Sequence, residues 1–133
     1  MRTFILTLLL TLTFHPIMAQ KYLLIPLPTG LFKGYDLTTR AVIGALYDRI
    51  RLSNYNLIGD PDGRAWYDEK EQRVFCVYSH AELAAQLGVG ERTIRRSLQL
   101  LKDDGLVWWY KAAYKAANRY FIHERITQEL KSQ

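Results

Sequence analysis

Residues 79–107 constrain the fold more than any other part of the chain, because they predict two helices joined by a tight turn. Ser79 stands where an N-cap is expected and Glu82 follows three residues later, which is the capping-box arrangement. Apolar residues then recur at helical spacing, at Leu83, Ala84 and Leu87. Gly88 follows directly and can adopt the positive φ that ends a helix.

The second helix is predicted over residues 91–104, with Gly90 at its N-cap. At about 100° per residue, one side carries Ile94, Leu98 and Leu101. The opposite side carries Arg92, Arg96, Gln99 and Asp103, with Arg95 and Lys102 nearer the flank. The outer face is therefore rich in guanidinium groups, which suit phosphates and guanine edges. This layout is typical of a protein that places a helix in the DNA major groove.

A simpler interpretation is that these arginines only solvate an exposed helix face, as most helical charge runs do. Four cations lie between Arg92 and Lys102 with no acidic residue among them, which favours a polyanionic partner. The turn before this helix and the strands after it also favour a polyanionic partner.

Two strands are predicted after Gly105, over residues 106–110 and 118–122, with a loop between them. A hairpin in this position is the wing of a winged-helix domain. Its cations are Lys111, Lys115 and Arg119, and Tyr114 is the aromatic residue expected to be exposed. We expect the lysines to contact backbone phosphates, which position a protein without reading sequence. Trp108 and Trp109 fall on opposite strand faces, and at least one is expected in the core.

The charge of the chain is concentrated in this same region. The 133 residues carry a formal net charge of +5. Residues 21–75 contain eight basic and seven acidic side chains, whereas residues 91–131 contain nine and five. This asymmetry predicts salt-sensitive binding to a polyanion.

The sequence offers little support for an enzyme or for a metal or cofactor site. It has no glycine-rich phosphate loop and no nucleophile elbow, and its three histidines show no ligand spacing with Cys76. Cys76 lies in an apolar strand, where a thiol usually acts as a small buried hydrophobe. The acids of one turn-rich region, Asp60, Asp62, Asp68 and Glu69, lack calcium-loop spacing and are expected to serve turn geometry. No cofactor and no small-molecule substrate are predicted.

Residues 1–20 resemble a secretory signal peptide, with an early cation, an apolar run and Ala19 at a possible cleavage point. The run is short for a membrane span, so membrane association is not expected. The alternative that we favour is that the chain begins at Met18 and that the upstream residues reflect an over-extended reading frame. The expected location is then the cytoplasm; a true signal peptide would instead mean export, and an apolar helix or anchor is the remaining alternative.

The middle of the chain predicts an arm, a helix and a hairpin. Residues 21–32 can form a short edge strand or an extended arm because prolines interrupt them. A helix capped by Asp36 or Thr38 follows to Ser53, and residues 54–63 are predicted as a loop. Residues 65–68 and 73–78 then predict a hairpin. The fold class is α+β, a winged helix-turn-helix over residues 21–131 with this extra hairpin and a short C-terminal helix.

The order of these pieces resembles the N-terminal winged-helix domain of RepA-type plasmid replication initiators, over residues 22–122. The most specific pieces are Leu52 in the run D-R-I-R-L-S, the W-Y-D hairpin at residues 66–68, and N-R-Y at residues 118–120. The resemblance implies recognition of repeated sites at a plasmid origin and nucleation of replisome assembly. The positions that match the family's DNA contacts are Arg92, Thr93, Arg95, Arg96 and Gln99. The resemblance implies a longer protein with a further C-terminal domain, so a fragment, a truncated gene product and a stand-alone repressor are the alternatives for this chain. The chain also differs from the family in having Gly90 at the cap and in its alanine-rich wing loop.

The predicted function is therefore sequence-specific binding of double-stranded DNA in plasmid replication. Alternatives are a winged-helix transcriptional regulator and a protein-interaction module with Trp108, Trp109 and Tyr114 as an adhesive patch. Possible partners besides DNA are replisome proteins and a second copy of the chain, because a small module rarely reads enough base pairs alone. The helix at residues 38–53 is a candidate dimer surface, although it fits a central core helix better. The predicted DNA-binding residues are Ser79, Arg92, Thr93, Arg95, Arg96, Gln99, Lys102, Lys111, Tyr114, Lys115 and Arg119.

Overall fold

The computed structural model describes residues 23–59 and 66–133. The signal-like segment at residues 1–20 lies outside this range, as do Asp60 and Asp62. No helix in the described part of the chain is long and apolar enough to cross a membrane.

The described residues form an α+β fold with two small antiparallel sheets, as the sequence predicted. The helices are α1 (Leu37–Gly59), α2 (His80–Leu87), α3 (Glu91–Asp103) and α4 (Glu124–Ser132), preceded by a 3₁₀ turn at Gly30–Phe32. The strands are β1 (Tyr67–Asp68), β2 (Arg73–Val74), β3 (Cys76–Val77), β4 (Val107–Lys111) and β5 (Asn118–Ile122).

The central helix α1 begins at a side-chain cap and is longer than predicted. The Asp36 carboxylate accepts a hydrogen bond from the Thr39 amide, 2.8 Å away. The predicted loop over residues 54–63 is wrong for residues 54–59, which continue the helix. Asn and Gly lower helix stability by only about 1 kcal/mol or less each, and propagation is cooperative, so the existing helix extends through them.

The helix-turn-helix follows its local sequence signals closely. Ser79 and Glu82 form both hydrogen bonds of the capping box at the start of α2. Gly88 ends α2 in the left-handed region, with φ of 70°. Gly90 is the N-cap of α3 and supplies no side-chain hydrogen bond there.

The predicted second strand of the hairpin is divided between the two sheets. Strand β2 pairs with β1, whereas β3 pairs with the wing strand β5. The order in the larger sheet is β3-β5-β4, so the middle of the chain adds a third strand to the wing. In the wing itself Trp109 pairs with Tyr120 and Tyr110 pairs with Arg119.

A single hydrophobic cluster joins α1, α2, α3, the larger sheet and α4. Its largest fully buried side chains are Tyr120, Phe32, Ile43, Leu46, Leu83, Ile94, Leu98, Leu101, Leu106, Ile126 and Val42. Helix α1 thus supplies much of the core, as the simpler of its two interpretations predicted.

The N-terminal arm lies across α1 in extended form, the second of the two conformations predicted for it. A Cβ built at Gly44 would lie 1.6 Å from the carbonyl oxygen of Leu24, so only glycine lets the arm pass this close. Arg40 donates to the carbonyl of Pro26, and the side-chain amide of Gln133 bonds both backbone groups of Leu27. The arm is therefore attached to α1 and to the end of α4.

Candidate nucleic-acid interface

The orientation of α3 about its own axis is fixed by its buried side. Ile94, Leu98 and Leu101 are buried in the core, as predicted. Ser97 is also buried, and its hydroxyl is 2.9 Å from that of Thr39 on α1. The hydroxyls of this buried pair satisfy each other, so the contact holds inward the same side of α3 that its apolar residues bury.

The outward face of α3 carries the predicted arginines. Arg92, Arg95 and Arg96 are all exposed. Arg95 is 3.9 Å from Glu91, in a surface pair in which both side chains are more than half exposed. Such a pair contributes little to stability, so Arg95 can leave Glu91 and bind another anion. Within residues 23–59 and 66–133, neither Arg92 nor Arg96 has an ion pair.

The acidic residue that caps α1, Asp36, lies near one of these cations. Hydrogen bonds from Thr39 are the main cause that lowers the pKa of Asp36, and the charges of Arg96 and Arg40 lower it further. Asp36 forms no ion pair with Arg96 in the described part of the chain, so the hydrogen-bond donors of this guanidinium are free to bind another anion.

The remaining predicted residues of α3 differ in their surroundings. Thr93 is half-buried at the side of the helix. The Gln99 amide nitrogen donates to Asp103, 2.9 Å away, on the exposed face. The Lys102 ammonium lies 5.0 Å from the ring centre of Trp109, toward the base of the wing.

The wing loop presents three exposed side chains that the sequence singled out. Lys111, Tyr114 and Lys115 are exposed, and Tyr114 is 90% exposed. Lys115 has a positive φ of 64°, and its ammonium lies 5.5 Å from the Tyr114 ring centre. Lys111 is the last residue of β4 and pairs with Asn118, so it lies at the edge of the loop, and the loop itself carries one lysine, Lys115, beside a projecting aromatic ring.

Ser79 lies at the beginning of α2, where its hydroxyl oxygen accepts the Glu82 amide at 2.9 Å. The hydroxyl proton can still be donated, for example to a phosphate. Ser79 thus has a structural role in the capping box beside the binding role that the sequence predicted.

Arg119 faces the β1–β2 hairpin, on the face of the sheet opposite to Trp109. Its guanidinium is 2.9 Å from the carboxylate of Asp68 and 4.4 Å from the ring centre of Phe75. The side chain of Asp68 is 1% exposed and that of Arg119 is 32% exposed. The geometry therefore gives Arg119 an internal partner, unlike the arginines of α3.

Asp68 connects the hairpin to both strands of the wing. One carboxylate oxygen accepts the Glu71 amide at 2.8 Å, which is the turn role that the sequence predicted. The other accepts from Arg119 on β5 and from the Tyr110 hydroxyl on β4. Burial raises the pKa of Asp68, but these hydrogen bonds together outweigh burial and hold the pKa below its ordinary value. This second role could not be predicted from the sequence, because Tyr110 and Arg119 lie more than 40 residues from Asp68.

The two wing tryptophans lie on opposite faces of the sheet. Trp109 packs against Tyr120, with ring centres 5.4 Å apart. Trp108 stacks on Phe121 at 5.8 Å, and its indole nitrogen donates to Glu71 of the hairpin. The two rings therefore do not form one adhesive patch with Tyr114.

Cys76 is fully buried, and burial raises the pKa of its thiol to about 12. This is the small hydrophobic role that the sequence predicted. Among the described residues no group of three His, Cys, Asp or Glu side chains is placed to hold a metal ion.

No protein-family model and no curated protein matches this chain. A solved structure described as the N-terminal domain of a DNA-binding protein is 20% identical with a TM-score of 0.57, covering 86% of this chain and 87% of that one. A chain from a structure of a Rep–DNA complex is 20% identical with a TM-score of 0.56, covering 80% and 77%. A structure of an MDR initiator is 19% identical with a TM-score of 0.53, covering 86% and 90%. At these identities the matches establish a shared fold, and at that level they confirm the resemblance to initiator N-terminal domains.

Proposed function

We propose that this protein binds double-stranded DNA in a sequence-specific manner and acts in plasmid replication initiation at origin repeats. The proposal involves no catalytic step, and it places the protein in the cytoplasm with plasmid DNA. Its support is the outward face of α3, the cations of the wing, and the fold shared with a chain whose structure is described as a Rep–DNA complex.

In this mechanism α3 enters the major groove. Arg95, Arg96 and Gln99 lie over base edges, while Lys111 and Lys115 contact phosphates on either side of the wing loop. Arginine can make two parallel hydrogen bonds to guanine, which supplies base discrimination. Lysine contacts to phosphate add affinity and fix the position of the domain without adding sequence preference.

One observation supports this mechanism more than any other. Ile94, Leu98 and Ser97 are buried on one side of α3, and on the other side Arg92 and Arg96 are exposed and have no ion pair among the described residues. Unpaired and exposed guanidinium groups are free to bind a phosphate or a base edge, whereas the guanidinium of Arg119 is already paired with Asp68.

The proposal also includes assembly on repeated sites. A single small module buries too little surface for high affinity, so we expect two copies to bind paired half-sites. Replisome proteins would then join the complex at the origin.

The experiment begins with selection of bound duplexes from a random library, using the full chain. Arg96→Ala is then expected to lower affinity for the selected duplex by about 5- to 150-fold, the value of one bidentate base contact. The matched control is Arg51→Ala, which removes an arginine of α1 whose side chain is 64% exposed and which forms a 3.9 Å surface pair with Asp48. Its effect on affinity is expected to be within experimental error.

Equal binding by wild type and Arg96→Ala would contradict the proposed use of α3. The selected sequence also tests the biological role. Its recurrence as iterated repeats beside the gene would support replication initiation, whereas a single operator upstream of the gene would favour a transcriptional regulator.

A further inference from the structure

Gln99 and Asp103 form a side-chain pair on the face of α3 that also carries Arg92 and Arg96. The Gln99 amide nitrogen donates to the Asp103 carboxylate at 2.9 Å, and both residues are exposed. They are four residues apart, so their side chains are neighbours on one helix face.

The chemistry of this pair determines the orientation of the glutamine amide. An ionised carboxylate only accepts hydrogen bonds, so the nitrogen of Gln99 faces Asp103 and its oxygen Oε1 does not. One of the two amide protons is used by Asp103. The other proton and Oε1 stay available as a donor and an acceptor.

We propose, on the basis of the proposed DNA-binding function, that Gln99 reads an adenine in the major groove and that Asp103 is the positioning residue for this contact. Adenine presents an acceptor at N7 and a donor at its N6 amino group, which match the free donor and acceptor of the oriented amide. Guanine presents acceptors at both N7 and O6, so Oε1 would face a second acceptor. The pair therefore selects adenine over guanine.

The substitution Asp103→Asn tests whether Asp103 acts by orienting the Gln99 amide, when it is compared with a control that removes the same charge. An asparagine can donate as well as accept, so it holds the Gln99 amide in either orientation and guanine becomes an acceptable base. The matched control is Asp104→Asn, which removes the same charge from the next residue. Its partner, the Tyr35 hydroxyl, can still donate to the asparagine oxygen. Both substitutions reduce repulsion of phosphates to a similar extent, so they should raise affinity for non-specific duplex equally.

The experiment selects duplexes with wild type, Gln99→Ala, Asp103→Asn and Asp104→Asn, and measures affinity for all four bases at each selected position. At one position wild type and Asp104→Asn are expected to prefer adenine over guanine by about 5- to 150-fold. Gln99→Ala should lose this preference there alone, and Asp103→Asn should reduce it to about threefold or less.

An unchanged adenine preference in Asp103→Asn, or an equal loss in Asp104→Asn, would overturn the inference. So would a position that prefers cytosine and depends on Asp103, because cytosine would then donate directly to the carboxylate. Specific binding that does not depend on Gln99 refutes this inference alone. Failure of wild type to select any duplex refutes the proposed function as well.

Discussion

Arg119→Met removes the internal cation from Asp68 while keeping an unbranched apolar stem over Phe75. Loss of one partner of a buried ion pair costs about 3–5 kcal/mol, because the other charge stays buried. Two hydrogen bonds to Asp68 survive, from Tyr110 and from the Glu71 amide, and the Arg119 side chain is already one-third exposed. We therefore expect the free energy of unfolding to fall by about 2–3 kcal/mol at neutral pH.

The loss should depend on pH in a defined direction. In wild type the pKa of Asp68 is lowered, so its stabilising contribution is present above the carboxyl's ordinary pKa and disappears as pH falls through the lowered value. Without Arg119 two influences that lower the pKa of Asp68 are lost, so this pKa is higher in the variant than in wild type and Asp68 takes up a proton at a higher pH. The difference in stability between the two proteins should therefore shrink as pH falls from about 6 to about 3, through the variant's pKa toward the lower wild-type value.

Urea unfolding followed by tryptophan fluorescence measures the free energy of unfolding of both proteins at each pH. Arg51→Met is the control, because its surface pair with Asp48 is 3.9 Å long and should contribute about 0.5 kcal/mol or less. A cost of Arg119→Met no larger than that control, or a cost that is equal at both pH values, would refute the role assigned to Asp68. In DNA binding, Arg119→Met should leave the dependence of log K on log salt unchanged, whereas Lys115→Met should reduce its slope by about 0.9 if Lys115 contacts one phosphate.

Three further predictions concern the fold around the interface. Gly44→Ala should release the N-terminal arm, because the new Cβ would lie 1.6 Å from the Leu24 carbonyl oxygen. Hydrogen-exchange measurements should then show faster exchange of the Leu27 amide, which bonds Gln133 in wild type. An unchanged exchange rate would contradict this close approach. Ser79→Ala removes the capping box and should lower the free energy of unfolding by about 1 kcal/mol. Thermal unfolding measures this loss, and an unchanged Tm would show that the cap contributes nothing to stability. Four carboxyl groups have lowered pKa values: Asp36, Asp68, Glu82 and Glu124. The free energy of unfolding should therefore fall as pH drops below the ordinary carboxyl range. A constant free energy of unfolding from about pH 5 to about pH 3 would disagree with these shifts.

Local signals in the sequence were sufficient to predict the helix-turn-helix. Ser79 with Glu82 and the positive φ of Gly88 are properties of neighbouring residues, and the structure contains both. The outward placement of the α3 arginines follows from helical periodicity alone. These residues could be assigned without knowledge of any distant contact.

Contacts between distant parts of the chain could not be predicted in this way. The run at residues 73–78 predicts one strand, but whether it pairs with β1 or with β5 depends on how the sheets pack. Asp68 has the sequence context of a turn residue, and only the folded chain brings it to Arg119 and Tyr110. Arg119 therefore looked equivalent to Lys111 and Lys115, although its guanidinium is paired with the buried carboxylate of Asp68.

The most direct test of the account is to map which backbone amides change when the protein binds its selected duplex, by NMR chemical-shift perturbation. The account predicts the largest changes in α3 and in the wing loop at residues 112–117, with small changes in α4 and in the arm. Large changes in α4 or the arm with an unperturbed α3 would contradict the claim that the arginine face of α3 meets the DNA.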